Sequence, residues 1–183
     1  MTHTAAQCIR NSGAGLDKGG SVAESDHRLD AKDHAILELL QRNAHWSHRE
    51  IGQSVGLSIS AVNDRIRRMV AAKIIKTWTV ELDAGAVGLH LLAFIHVLFD
   101  RSSDIPAFAR KIGSYPEVQE CHHLAGDWNY LLKVRVATTA ALERFISQEL
   151  KSTFNVTRTS TMIVLDSIKE SAALAVAGTK PAG

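Results

Sequence analysis

Between Ser47 and Met69 the chain places two helix starts and one sharp stop at spacings that leave little choice of fold. Ser47 followed by Glu50 is an S-x-x-E pair: the serine hydroxyl can accept the backbone N–H of Glu50 while the glutamate reaches back to the N–H of Ser47, and this opens a helix. Ile51 and Val55 lie one turn apart on its inner face, and Gly56 then supplies the left-handed or strained backbone that a tight turn needs. Leu57 pins the turn. Ser58 is a second N-cap, and behind it Val62, Ile66 and Met69 recur at i, i+4, i+7, so the second helix buries one stripe and turns Ser60, Asn63, Asp64, Arg67 and Arg68 to solvent. The stretch 48–67 (HREIGQSVGLSISAVNDRIR) therefore reads as a helix-turn-helix.

An exposed helix face of hydroxyl, amide and guanidinium groups suits the major groove, where Arg pairs bidentately with guanine and Asn with adenine. Two short helices joined by a glycine turn also occur in all-α proteins that never touch DNA. Charge favours the first reading. From His48 to Lys76 six basic side chains (Arg49, Arg65, Arg67, Arg68, Lys73, Lys76) face two acidic ones (Glu50, Asp64), in a chain whose formal net charge is only +2. A local basic excess in a balanced chain is the footprint of phosphate contact. The candidate DNA contacts are Ser58, Ser60, Ala61, Asn63, Asp64, Arg65, Arg67, Arg68 and Lys76. Arg65 is open between two roles, a phosphate contact or an ion pair within the domain.

With 183 residues, 45% hydrophobic and 22% charged, the chain has the make-up of a soluble globular protein of one ordinary domain or two small ones. Its longest mainly apolar run, Leu89 to Phe99, contains His90 and His96 and falls short of the roughly 20 residues that span a bilayer, so no membrane partner is expected. Two distant cysteines, Cys8 and Cys121, and an N-terminus without a signal-peptide core point to the reducing cytoplasm. Residues 1–27, rich in Gly, Ser, Ala and Thr, read as a disordered extension, and 178–183 as a frayed tail.

The expected architecture is α+β with two domains. Residues 28–82 form the first: Asp30 caps a helix at about 30–43 carrying Leu29, Ile36, Leu37 and Leu40, the helix-turn-helix follows, and the β-branched run Ile74–Val80 adds a strand or hairpin, a wing. Residues 83–88 are the linker. Residues 89–177 then read strand (89–99), helix after Ser103 (Ile105, Phe108, Ala109, Ile112), strand (118–124), strand (129–136), helix (Leu142, Phe145, Ile146, Leu150) and strand (156–168). That order is a ferredoxin-like βαββαβ sandwich with both helices on one sheet face. Tyr130, Leu132, Val134 and Val136 alternate with Lys133 and Arg135 along the third strand. Leu92, Phe94, Leu132 and Val134 suggest an apolar open face that dimerises.

A basic winged helix-turn-helix followed by such a domain containing G-D-x-[DN]-Y resembles the Lrp/AsnC family, the leucine- and asparagine-responsive feast/famine transcription regulators of bacteria and archaea. The resemblance runs from Leu29 to Val176 on LDAKDHAILELLQRNA, REIGQSVGLSISAVNDRIRRM, ECHHLAGDWNYLLKVRV and TRTSTMIVLDSIKE. It implies a homodimer on double-stranded DNA, often assembled into octamers or other higher oligomers, with no cofactor beyond a small amino-acid effector bound where second domains meet. Carried over, the effector loop falls on Ala125, Gly126, Asp127, Trp128, Asn129 and Tyr130, with Thr159 and Thr161 as neighbours. Gly126 lets backbone approach a carboxylate and Asp127 can take an ammonium. Asn129 departs from the aspartate of many members.

A tight hairpin in which Gly126 and Asp127 only serve the turn is the alternative reading of that loop. Cys121, His122 and His123 make no metal site, because neighbouring strand residues point to opposite faces. A rival function is enzymatic, since sirohaem decarboxylases share this architecture; His96, His122, His123 and Arg135 are its candidate residues. No catalytic residue is expected under the regulator reading.

Overall fold

The computed structural model describes residues 28–101 and 104–176, so the expectations for 1–27, Ser103 and 178–183 lie outside it. The described residues form two compact units, 28–80 with 169–176 and 81–168 without 102 and 103.

The first unit is three helices around one core. Helix α1 (Ala31–Arg42) is capped by Asp30, α2 (His48–Val55) by Ser47, and α3 (Ile59–Ala71) by Ser58. Ile36, Ile51, Val55, Val62, Ile66 and Met69 are buried together, with Leu29, Leu37, Leu40 and Leu57 packed at the edge. Ile74 and Ile75 also pack on this core. The expected strand at 74–80 is absent: beyond α3 the backbone is irregular, and Trp78 and Val80 stay exposed. The reason is physical, because a lone strand needs a partner's ladder and none lies beside it among the described residues. The segment 169–176 belongs to this unit, its Leu174 N–H donating to the side chain of Gln41 at 2.7 Å.

The second unit is a four-stranded antiparallel sheet in the order β2-β3-β1-β4, with β1 Leu91–Leu98, β2 Val118–His123, β3 Tyr130–Val136 and β4 Arg158–Ile163. Helix α4 (Ile105–Lys111) joins β1 to β2, and α5 (Thr139–Arg144) with its continuation joins β3 to β4, so two βαβ units interleave as expected. Register decides the faces. Ala93 pairs with Val134, Ile95 with Leu132 and Val97 with Tyr130, and these share the helix-covered face with Phe108, Leu142, Phe145, Leu150 and Phe154.

Three expectations need correcting. Leu132 and Val134 do not line the open face; both are wholly buried under the helices, while Leu92 and Phe94 stand opposite Arg135 and Lys133. Strand β4 stops at Ile163 rather than 168, after which Leu165 and Ile168 are exposed, and its expected first residue Val156 is instead a core residue before the strand. The second helix changes at Phe145–Lys151 into π-helical turns before a last α turn at Ser152–Phe154. Wider turns keep Phe145 and Leu150, five residues apart, both in the core, a spacing an ordinary α-helix would splay.

Candidate functional site

Local chemistry sets the angle between α2 and α3. The Ser47 hydroxyl accepts the N–H of Glu50 at 3.2 Å, and a Glu50 carboxylate oxygen accepts the N–H of Ser47 at 2.8 Å. The Ser47 hydroxyl first, then that N–H, holds the Glu50 carboxyl below its ordinary range. Gly56 adopts φ 68°, ψ 48°, the left-handed conformation that a side chain disfavours. Two further residues secure the turn and were not evident in the sequence. A Cβ on Gly52 would lie 2.6 Å from the carbonyl oxygen of Leu57, so only hydrogen fits there, and the Leu57 N–H in turn donates to the Gly52 carbonyl at 2.9 Å. Lys32 on α1 donates to the carbonyl of Val55, an otherwise unpaired group at the end of α2.

Helix α3 presents Ser60, Asp64, Arg67 and Arg68 in solvent, with Asn63 and Ala61 half-buried at the margins of that face. Ser58 is engaged as the cap, its hydroxyl 3.2 Å from the N–H of Ala61 and 3.1 Å from the Ser60 hydroxyl. Lys76 is exposed in the irregular segment beyond the helix. Arg65 lies apart from the exposed group. Its Nη1 donates to Asp30 at 2.7 Å and to Asp33 at 2.8 Å, an ion pair within the domain. These two carboxylates hold the guanidinium in its charged form, and the Asp33 N–H first, then Arg65, keeps the Asp30 carboxyl low.

In the sheet unit, the loop between β2 and β3 is tied at its base. The Leu124 N–H donates to the Asn129 carbonyl at 2.9 Å, and the Asn129 N–H donates to the Val97 carbonyl at 3.0 Å. The Asn129 side-chain oxygen accepts the N–H of Phe99 at 2.7 Å, so this residue holds the end of β1 and an amide performs the task as a carboxylate would. Gly126 and Asp127 stand exposed at the tip, and a Cβ on Gly126 would meet nothing within 4 Å. Trp128 packs between His96, ring centroids 5.4 Å apart, and Arg158, whose guanidinium lies 4.7 Å from the indole centroid.

The candidate effector residues divide between the two sheet faces. Tyr130 is buried among Phe99, Phe108 and His123, and that burial pushes its hydroxyl above the usual value. Thr159 and Thr161 pair with Val97 and Ile95 and so share Tyr130's face, while Trp128 contacts His96 and Arg158 at the open one. The histidines also separate: His96 and His122 flank Leu131 on the open face, where Arg135 also lies, and His123 points the opposite way beside Tyr130. Burial pushes the Cys121 thiol up to about 11. Among the described residues no three His, Cys, Asp or Glu side chains gather as a metal would require.

Residues 29–76 match the family model for winged helix-turn-helix DNA-binding, and residues 92–174 match the Lrp/AsnC ligand binding domain. The HTH-type transcriptional regulator FL11 of Pyrococcus furiosus is 33% identical over 148 residues, covering 81% of this chain and 97% of that protein. The chain belongs to the Lrp/AsnC family. The leucine-responsive regulatory protein of Escherichia coli is 31% identical over 150 residues, 81% of this chain and 92% of its own. Among solved structures, a Neisseria meningitidis transcriptional regulator in complex with L-methionine superposes with a TM-score of 0.77 at 30% identity, covering 81% of this chain and 97% of that one. E. coli AsnC gives 0.74 at 25% identity, covering 79% and 97%. The protein is thus a transcription regulator of the Lrp/AsnC type, with a DNA-binding helix-turn-helix and a ferredoxin-like ligand-binding domain. No described helix is long and apolar enough to cross a membrane.

Proposed function

We propose that this Lrp/AsnC regulator works in the cytoplasm as a homodimer or larger assembly, reads DNA with the exposed face of α3, and is tuned by a small amino acid rather than catalysing a reaction. The carrying observation is that face: Ser60, Asp64 and Arg67 lie opposite the buried stripe of Val62, Ile66 and Met69, with Asn63 at its margin. Arg67 and Asn63 read base edges; Ser58, Ser60, Ala61, Asp64, Arg68 and Lys76 complete the contact surface. Arg65 is left out, because two carboxylates already occupy it.

Residues 28–82 carry this DNA-reading task, 83–88 link, and 89–168 carry assembly and ligand binding, with 169–176 returning to the first unit. The open sheet face supports dimerisation, with half-buried Phe94, Leu98 and Leu131 and exposed Met162 forming an apolar centre beside Lys133 and Arg135. Effector binding is assigned to the tip Gly126 and Asp127, with Trp128 behind them, where neighbouring subunits meet. The open space over Gly126 leaves room for ligand backbone, and Asp127, exposed and without a partner among the described residues, is an acceptor for an ammonium. The L-methionine complex of the Neisseria regulator supports an amino acid as the ligand class. Of the residues of the tetrapyrrole-enzyme alternative, His96, His122 and Arg135 share the open face but His123 stands on the other, so the four do not form one site.

Competition titrations on a footprinted operator test the reading. Arg67→Ala and Asn63→Ala should each cost about 1–3 kcal/mol at one base pair and relax sequence choice there. Unchanged specificity in both variants would refute the assignment of α3.

A further inference from the structure

Asp33 is the one buried charged side chain among the described residues, 1% exposed at the third position of α1. It is fully engaged. Its Oδ1 accepts from Arg65 Nη1 at 2.8 Å and Arg68 Nη2 at 3.0 Å; its Oδ2 accepts from Arg68 Nη2 at 2.9 Å and the Asp30 N–H at 3.2 Å. Two guanidiniums of α3 thus converge on α1 across 32 and 35 residues of sequence.

Those arginines are held differently. Arg65, 24% exposed, is drawn inward and shared between Asp33 and Asp30. Arg68 is 55% exposed and engages Asp33 through Nη2 alone, so among the described residues Nη1 and Nε make no hydrogen bond. A guanidinium has five donors in a rigid plane, and fixing one corner fixes the direction of the opposite edge. Arg68 sits at the margin of the helix face proposed to enter the groove, where side chains meet the DNA backbone.

We propose that Asp33 is a positioning residue for DNA binding: its buried carboxylate holds Arg68 so that the free guanidinium edge meets a phosphate, while Arg65 keeps its second carboxylate, Asp30. The proposal rests on the DNA-binding reading of α3 and adds a residue that touches no DNA. Its consequence runs against simple electrostatics. Removing a negative charge beside DNA should strengthen binding and steepen its salt dependence, whereas removing a positioning group should weaken binding and flatten that dependence by one phosphate.

The test is a salt titration of the full-length protein on a random-sequence DNA duplex, read by fluorescence anisotropy. Wild type should bind with a steep negative slope of log K against log salt; absence of salt-sensitive binding would remove the DNA reading and this proposal with it. Asp33→Asn and Arg68→Ala should each bind more weakly, with the slope shallower by about 0.9, and the double variant should match the single ones. A merely destabilised fold lowers the active fraction and leaves the slope alone. Tighter binding with a steeper slope in Asp33→Asn, or an unchanged slope in both, would overturn the assignment. Should Asp33→Asn fail to fold, Arg68→Lys decides: it keeps the charge but loses the second edge, and a wild-type slope there would overturn the proposal.

Discussion

The side-chain oxygen of Asn129 accepts the backbone N–H of Phe99 at 2.7 Å, which joins the foot of the β2–β3 loop to the residue just past β1. An aspartate at this position would accept the same hydrogen bond. Asn129→Asp should therefore change stability by less than about 1 kcal/mol, while Asn129→Ala orphans a half-buried donor and should cost about 1–3 kcal/mol in urea unfolding. Equal stability of the alanine variant and wild type would show that the bond does not hold the loop.

Gly52 sets the approach of α2 to the turn. Alanine ordinarily stabilises a helix relative to glycine by up to about 1 kcal/mol. Here the added Cβ would stand 2.6 Å from the Leu57 carbonyl oxygen, which is backbone and cannot swing aside. Gly52→Val should destabilise the helical unit by about 2 kcal/mol or more, visible as a lower thermal midpoint and weaker DNA binding.

The caps of α1 and α2 make this unit acid-sensitive. Asp30 and Glu50 both have folded pKa values below their ordinary ones, so the stability they contribute is present above the ordinary carboxylate range and is lost as pH falls through the depressed values. Melting followed by circular dichroism from pH about 6 downward should show the midpoint dropping below pH about 4, and Glu50→Gln should flatten part of that drop.

How much was legible in the sequence depended on the range of the interaction. Caps at Asp30, Ser47 and Ser58, the left-handed Gly56 and the stripe Val62–Ile66–Met69 are set within four residues, and the residues announce them. The ion pairs of Asp33 span more than thirty residues and left no local mark. Alternation along β3 was plain, yet which face it offered to β1 depended on register, and this is why Leu132 and Val134 were placed on the wrong side. The π-helical turns at Phe145–Lys151 arise from packing of Phe145 and Leu150, which periodicity does not encode. Only the order of elements and the loop motif carried the family through to the effector region.

Assembly through the open sheet face predicts a charge-sensitive interface. Phe94 is half-buried in the single chain and stands between Lys133 and Met162. Phe94→Asp should leave the fold intact and shift the protein to monomer in sedimentation at micromolar concentration, since burying an unpaired carboxylate in an apolar interface is costly. A wild-type sedimentation profile would place the interface elsewhere.

If an amino acid bound at the loop tip acts by favouring one assembly, the effector and the assembly must each alter the other's equilibrium. Asp127→Ala should abolish the effect of added amino acids on oligomer size in light scattering, with basal DNA binding close to wild type. A variant that still responds at the same concentration would make the loop only a turn.

A footprint on the DNA immediately upstream of the protein's own coding sequence, comparing wild type with Arg67→Ala, tests whether α3 reads sequence. Wild type should give a discrete protected site, and the variant should lose roughly ten- to hundredfold in affinity for that site, with far less change on unrelated DNA. Indistinguishable protection by the two proteins would contradict the assignment of α3 as the surface that reads sequence.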